Sequence, residues 1–228
     1  MKTSTVRTAG FLFVGAALSL GTAWADLTVT NPTFYSNPSS LTNGPVEGSF
    51  WNNGPITGWT FIGSGGEAGS QTPGTIYSSV PGGSQFAYTN GAGGYIISQA
   101  IGTVEASDTY TVSVYVGDRS DGFSGTYSNG LTGASYVSSI DLVINGNNYY
   151  ATGVQPTIPG TWSLWSVTVT GVTGEATLDL GPAISGNQAD YASVSATPEP
   201  GFYTVLALGL AGLAFAVARR RSAAKDCA

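Results

Sequence analysis

Histidine is missing from the 228 residues, cysteine occurs once, and only seven residues are Lys or Arg. Each shortage removes a class of chemistry. Without histidine, neither Ser-His-Asp nor Cys-His catalysis has its base, and zinc loses its usual ligand sets. The lone Cys227 has no second cysteine with which to form an internal disulfide. Oxygen donors remain, which leaves calcium as the common metal such a chain could hold well. Six of the basic residues (Lys2, Arg7, Arg219, Arg220, Arg221 and Lys225) lie in the terminal segments. Residues 26–197 therefore set Arg119 alone against eleven acids, a net charge of −10. A stretch without lysine cannot neutralise phosphates, which argues against a nucleic-acid partner.

What the ends do contain is apolar. Lys2 and Arg7 precede an apolar run from Gly10 to Leu20, followed by Ala23-Trp24-Ala25. That is the order of a secretory signal peptide, and the run is about half the ~20 residues needed to cross a bilayer. Residues 1–25 are thus expected to be removed. At the other end, Pro198-Glu199-Pro200 is followed by an apolar stretch from Gly201 to Ala218 and then by Arg219-Arg220-Arg221. These 18 residues reach the lower limit for a transmembrane helix, ~17. The arginines place residues 222–228 in the cytoplasm and the N-terminal body outside.

The order Pro-Glu-Pro, short apolar helix, arginine cluster and short tail resembles the PEP-CTERM signal of exported proteins in Gram-negative bacteria. The resemblance implies recognition by an exosortase after passage through the secretion machinery. It also implies cleavage near residues 198–200 and delivery to the cell envelope, cell surface or extracellular matrix. A plain single-pass anchor is the alternative for the same residues.

The body between the ends, residues 26–197, has the length of one domain and no long helical periodicity. Segments that alternate with period two lie at 27–30, 56–62, 85–89, 95–101, 110–116, 136–144, 149–152, 162–170, 176–180 and 189–195, bounded by Gly, Asn or Pro. Tyr110, Val112, Val114 and Val116 fall on one face, with Ser113 and Tyr115 on the other. Asn145-Gly146 signals a type I′ hairpin, since both central positions need positive φ. Short strands in this number predict an all-β body, a single β-sandwich or jelly roll.

Several motifs of the body resemble the galactose-binding-like jelly rolls, an architecture shared by carbohydrate-binding modules. They are Asn31-Pro32-x-Phe34, Pro55-Ile56-Thr57-Gly58-Trp59, Gly93-Gly94-Tyr95-Ile96-Ile97-Ser98-Gln99, the run from Tyr110 to Arg119, and Ala189-Asp190-Tyr191-Ala192-Ser193-Val194. The resemblance implies a fold and, more weakly, a polysaccharide ligand. In that family the closing segment usually reads aromatic-Asp-Asp/Asn, whereas here Tyr191 follows a single Asp190.

Sugar binding needs flat aromatic faces with amides and carboxylates near them. If one sheet is open and concave, Tyr115, Tyr136, Tyr149 and Trp162 are the rings expected on it, while Trp59 and Trp165 read as core. Arg119 has two readings, a local ion pair with Asp118 or Asp121 and a fork that grips glycan oxygens. A structural Ca²⁺ held by Asn31, Glu47 and Asp190 is a further expectation, because the first and last strands of a jelly roll lie together; no other cofactor is expected. The leading functional reading is a non-catalytic, glycan-binding exported protein. Its alternatives are a purely structural matrix component and, behind that, a glycoside-active enzyme using paired carboxylates.

Overall fold

The computed structural model describes residues 27–36, 41, 43–46, 48–91, 95–120, 138–154, 156, 158–182, 188–199 and 209–215. The described residues of the body form twelve strands: β1 (Asn43–Val46), β2 (Ser49–Trp51), β3 (Thr60–Ile62), β4 (Gly66–Gln71), β5 (Phe86–Gly91) and β6 (Ile96–Val104), then β7 (Thr109–Asp118), β8 (Ser138–Ile144), β9 (Asn147–Tyr150), β10 (Thr161–Thr170), β11 (Gly174–Pro182) and β12 (Ala189–Glu199). They form a seven-stranded sheet ordered β1-β2-β4-β5-β12-β7-β10 and a five-stranded sheet ordered β3-β6-β11-β8-β9. All pairings are antiparallel. This is the two-sheet sandwich of the jelly-roll type that the alternation predicts.

The core follows from the period of two. On β7, Tyr110, Val112, Val114 and Val116 are at most 1% exposed, and Val167 and Val169 of β10 extend the same inner face. Ile97, Ile101, Leu142, Ile144, Leu178 and Leu180 answer them from the narrower sheet. Complete burial of one such valine, leucine or isoleucine contributes about 1.5–3 kcal/mol, so the layer between the sheets is the main stabilising element. The β8–β9 hairpin turns at Asn145 and Gly146, whose φ values of 49° and 78° are those the Asn-Gly pair predicts.

Some elements differ from the sequence expectation. Residues 27–30 form no strand; Thr28 N–H donates to Ile101 O at 2.7 Å, and Gln99 Oε1 accepts from Thr30 N–H. A side chain thus stands in for the strand partner. Residues 56–59 are a turn closed by Trp59 N–H to Ile56 O, with Gly58 at φ 86°, so β3 is only three residues long.

A second apolar layer lies on the outer face of the wide sheet. Residues 73–83 fold back over it and bury Ile76, Tyr77 and Val80 against Phe86, Tyr88 and Ala192, with Trp51, Tyr115 and Trp162 partly buried beside them. Ser120 pins this flap by donating its hydroxyl to Ile76 O at 2.7 Å, and Trp162 donates its indole N–H to Ser79 O at 2.8 Å.

Strand β12 continues to Glu199, two residues past the expected end of the body. Pro198 pairs with Tyr110 and Glu199 with Thr109, and Thr111 donates its hydroxyl to Glu199. Residues 209–215, within the apolar C-terminal stretch, form a helix, α1. Among the described residues no helix is long and apolar enough to cross a membrane. The expected signal peptide at 1–25, Pro200 and Arg219, Arg220 and Arg221 lie outside the described residues.

Candidate functional site

The rings expected on one face are divided between the two sheets. Tyr115 on β7 and Trp162 on β10 do share the outer face of the wide sheet, because Leu164 pairs with Tyr115 and Trp162 with Gly117. Trp162 is not a free platform, however: Tyr77 stacks on it with centroids 4.2 Å apart and Phe86 meets it edge-on at 5.7 Å. Tyr149 sits on β9 of the other sheet, partly buried against the main core. Tyr136 lies outside the described residues. Beyond Tyr115 the same outer face carries three cross-strand hydroxyl pairs, Ser113 with Ser166, Thr111 with Thr168 and Thr109 with Thr170, at 2.7–2.9 Å.

Arg119 is 5% exposed and reaches across the wide sheet; Asp121, one of its expected neighbours, lies outside the described residues. Arg119 Nη1 donates to Gln71 Oε1 at 3.2 Å and lies 3.4 Å from Asp190 Oδ2. Tyr77 donates its hydroxyl to the same Asp190 oxygen at 2.7 Å, and Gln188 donates to the other. Burial raises the Tyr77 hydroxyl well above its ordinary range, and the Asp190 charge adds to the effect. Asp118 is also held above the ordinary carboxylate value, by burial first and by the Asp190 charge second. A fork with this placement offers little surface to a glycan in solvent.

Of the residues expected to hold calcium, Asn31 and Asp190 are described. Asp190 answers Arg119, and the Asn31 side chain accepts from Tyr35 N–H and donates to the carbonyls of Tyr35 and Thr57. Glu47 is outside the described residues. Among the described residues no three acidic, histidine or cysteine side chains form one group.

A site that the sequence reading missed lies at the margin of the sandwich. β2 pairs with β4 at Trp51 and Gln71, and residues 66–68 of β4, bonded to β5 on one side, have no strand partner among the described residues on the other. β3 is the edge strand of the opposite sheet. Between them opens a cleft of about 450 Å³, lined among others by Asn53, Trp59, Phe61, Glu67, Ala68 and Tyr95. Phe61 and Tyr95 stand edge to face, with centroids 6.1 Å apart at 78°. Trp59 is 5% exposed and fixed by its indole N–H on Asn31 O and by Phe34, 5.0 Å away. Tyr88 donates its hydroxyl to Asn52 O at 2.9 Å and also meets Asn53 Oδ1, which positions the Asn53 amide at the rim. Burial raises the Tyr88 hydroxyl, and the Glu67 charge raises it further. The cleft thus combines ring faces with one amide and one carboxylate, the mixture that binds hydroxylated rings.

The model of the HpiC1-like family, described as HpiC1 cyclase, matches residues 25–185. The chain belongs to the HpiC1-like family. No curated protein matches this HpiC1-like chain. Among solved structures it is similar to the CBM22-1 xylan-binding domain of Paenibacillus barcinonensis Xyn10C, at 13% identity and a TM-score of 0.45, covering 77% of this chain and 96% of that one. The CBM22-1 and GH10 modules of Clostridium thermocellum xylanase 10B, complexed with xylohexaose, match at 14% identity and a TM-score of 0.43, over 77% of this chain and 29% of that one. The enzymatically active domain of tailspike protein 4 from bacteriophage CBA120 matches at 12% identity and a TM-score of 0.42, over 74% of this chain and 22% of that one. The HpiC1-like chain therefore spans under a third of the length of the latter two.

Proposed function

We propose that this chain is an exported, non-catalytic protein that binds a glycan in the cleft between β3 and β4. An exosortase would sort it through its C-terminal segment to the envelope, surface or extracellular matrix of a Gram-negative bacterium. The observation that carries the binding reading is the joining of Phe61, Tyr95 and Trp59 with Asn53 and Glu67 in one open cleft. The sorting reading rests on the residues from Pro198 to Arg221.

Binding is tested on a glycan array with the full chain in neutral detergent. Retention of a polysaccharide, lost when Phe61 and Tyr95 are both changed to Ala, is the expected result. Retention of none would favour the purely structural matrix component. Sorting is tested by the intact mass of the protein recovered from the envelope and medium of its host. Loss of residues 1–25 and of everything beyond about 198–200 is expected, and a chain that keeps its C-terminal segment would be a plain anchor.

A second reading is catalytic, and the family description as a cyclase together with the Asp118 carboxyl favours it. A buried acid with a raised pKa is suited to donate a proton. In that reading Asp118 is the donor and the Arg119–Asp190 pair is its support, with the flap at 73–83 opening to admit a substrate. Turnover of a ring-closing substrate that disappears in Asp118→Asn, with the fold intact, would decide for it.

A further inference from the structure

The cleft between β3 and β4 holds a carboxylate without a counter-charge. Glu67 is exposed, and its side chain makes no ion pair or hydrogen bond with another described residue. Composition closes the question for the rest of the body. Arg119 is the sole cation anywhere between residues 26 and 197, and it is buried on Asp190. No segment of the body, whatever its conformation, can bring a lysine or a second arginine to the cleft.

The remaining lining points the same way. Phe61 and Tyr95 are half-buried, so part of each ring faces the opening, and their edge-to-face setting exposes ring surface at two orientations. Trp59 closes the inner side. Aromatic faces attract a cation within ~6 Å of the ring centroid, and rings combined with a carboxylate are the chemistry that recognises ammonium groups. The same arrangement disfavours a ligand carboxylate or sulfate, since such an anion would meet Glu67 with nothing positive near it. Asn53, held by Tyr88 at the rim, supplies an amide for a ring hydroxyl.

We propose that the cleft selects an amine-bearing glycan, a polymer of protonated amino-sugar units, over neutral and acidic ones. The amine is held by Glu67 and the ring faces, and the sugar ring stacks against Phe61 or Tyr95. This rests on the glycan-binding reading of the same cleft and names its ligand class.

The test titrates the full chain in neutral detergent with three probes: an oligomer of β-1,4-linked glucosamine, its fully N-acetylated counterpart and a uronic-acid oligomer of equal length. The glucosamine oligomer is expected to bind about tenfold more tightly than the acetylated one, with that margin shrinking as salt is raised, and the uronic-acid oligomer not to bind. Glu67→Gln should lower the glucosamine oligomer to about the level of the acetylated one, a loss clearly larger than any the acetylated one suffers. Glu67 is exposed, so that variant is expected to melt as the parent does. Phe61→Ala should weaken both. Equal or better binding of the acetylated oligomer, or an amine preference that survives Glu67→Gln, overturns the selection while the glycan-binding reading stands. Failure of all three probes to bind also overturns the selection, and retention on the array then shows whether the glycan-binding reading stands.

Discussion

Arg119 and Asp190 face each other across 3.4 Å with side chains 5% and 1% exposed, 71 residues apart in sequence. An acid-rich body has spent its single cation on one buried carboxylate. Removing one member of such a pair strands the other, which costs about 3–5 kcal/mol. Arg119→Met and Asp190→Leu should each lose that much in urea unfolding. The double variant should lose clearly less than the sum, because neither charge is then stranded. Strict additivity would mean that the two side chains do not depend on each other.

Asp118 provides a pH signature. Burial, with the Asp190 charge second, holds its carboxyl above the ordinary 3.8 in the folded state. The folded protein therefore binds this proton more tightly than the unfolded chain does, and stability falls as pH rises from 3.8 through the raised value. Above that window the penalty is constant. Asp118→Asn removes it, so the variant should be the more stable at neutral pH. The difference from the parent should shrink as pH drops through the window. Urea midpoints at a series of pH values read this directly, and a gap that widened on acidification would contradict it.

Two glycines should fail for different reasons. A Cβ on Gly117 would press on the Tyr77 hydroxyl and lie 2.8 Å from Cζ3 of Trp162, under the closed flap. Gly117→Ala should therefore cost about 1–3 kcal/mol by overpacking and alter the near-ultraviolet signal of Trp162.

Gly146 has open space around it but sits at φ 78° in the β8–β9 turn. Gly146→Ala should cost about 1–2 kcal/mol through backbone strain alone, with aromatic signals unchanged. Thermal melts and near-ultraviolet spectra of the two variants separate clash from strain.

How much of this was written in the chain varies with the range of the cause. β7 and the Asn145-Gly146 hairpin are legible because alternation and left-handed turn residues act within a few positions. β4 is not, since Gly-Glu-Ala-Gly-Ser-Gln has no apolar alternation. Gly69 is required by the close approach of Asn52 O, and the buried Ser70 is satisfied by Ser36 and by Phe34 O. The cleft was hidden for a related reason. It exists because β2 stops pairing with β4 after one residue pair, and it gathers Trp59, Phe61, Glu67 and Tyr95 from different elements. The partner of Arg119 could not be read from spacing. The available signal was its uniqueness, since a lone cation in an acidic body that follows a strongly apolar strand is a natural partner for a buried acid. Tyr149 reads alongside Tyr115 in the sequence because alternation assigns a face within a strand but not the sheet to which that strand belongs.

The position of β12 also has a mechanical meaning. This strand is interior to the wide sheet, bonded to β5 on one side and to β7 on the other, and its pairing with β7 extends to Glu199. Tension entering from the C-terminal side would run along the strand axis, so the rungs to β7 share the load in shear instead of opening one after another. A body tethered through residues beyond Glu199 would thus resist drag along its best-supported strand. Single-molecule pulling from the C-terminal end should give higher rupture forces than pulling through the β8–β9 hairpin, where β9 lies at the edge of its sheet.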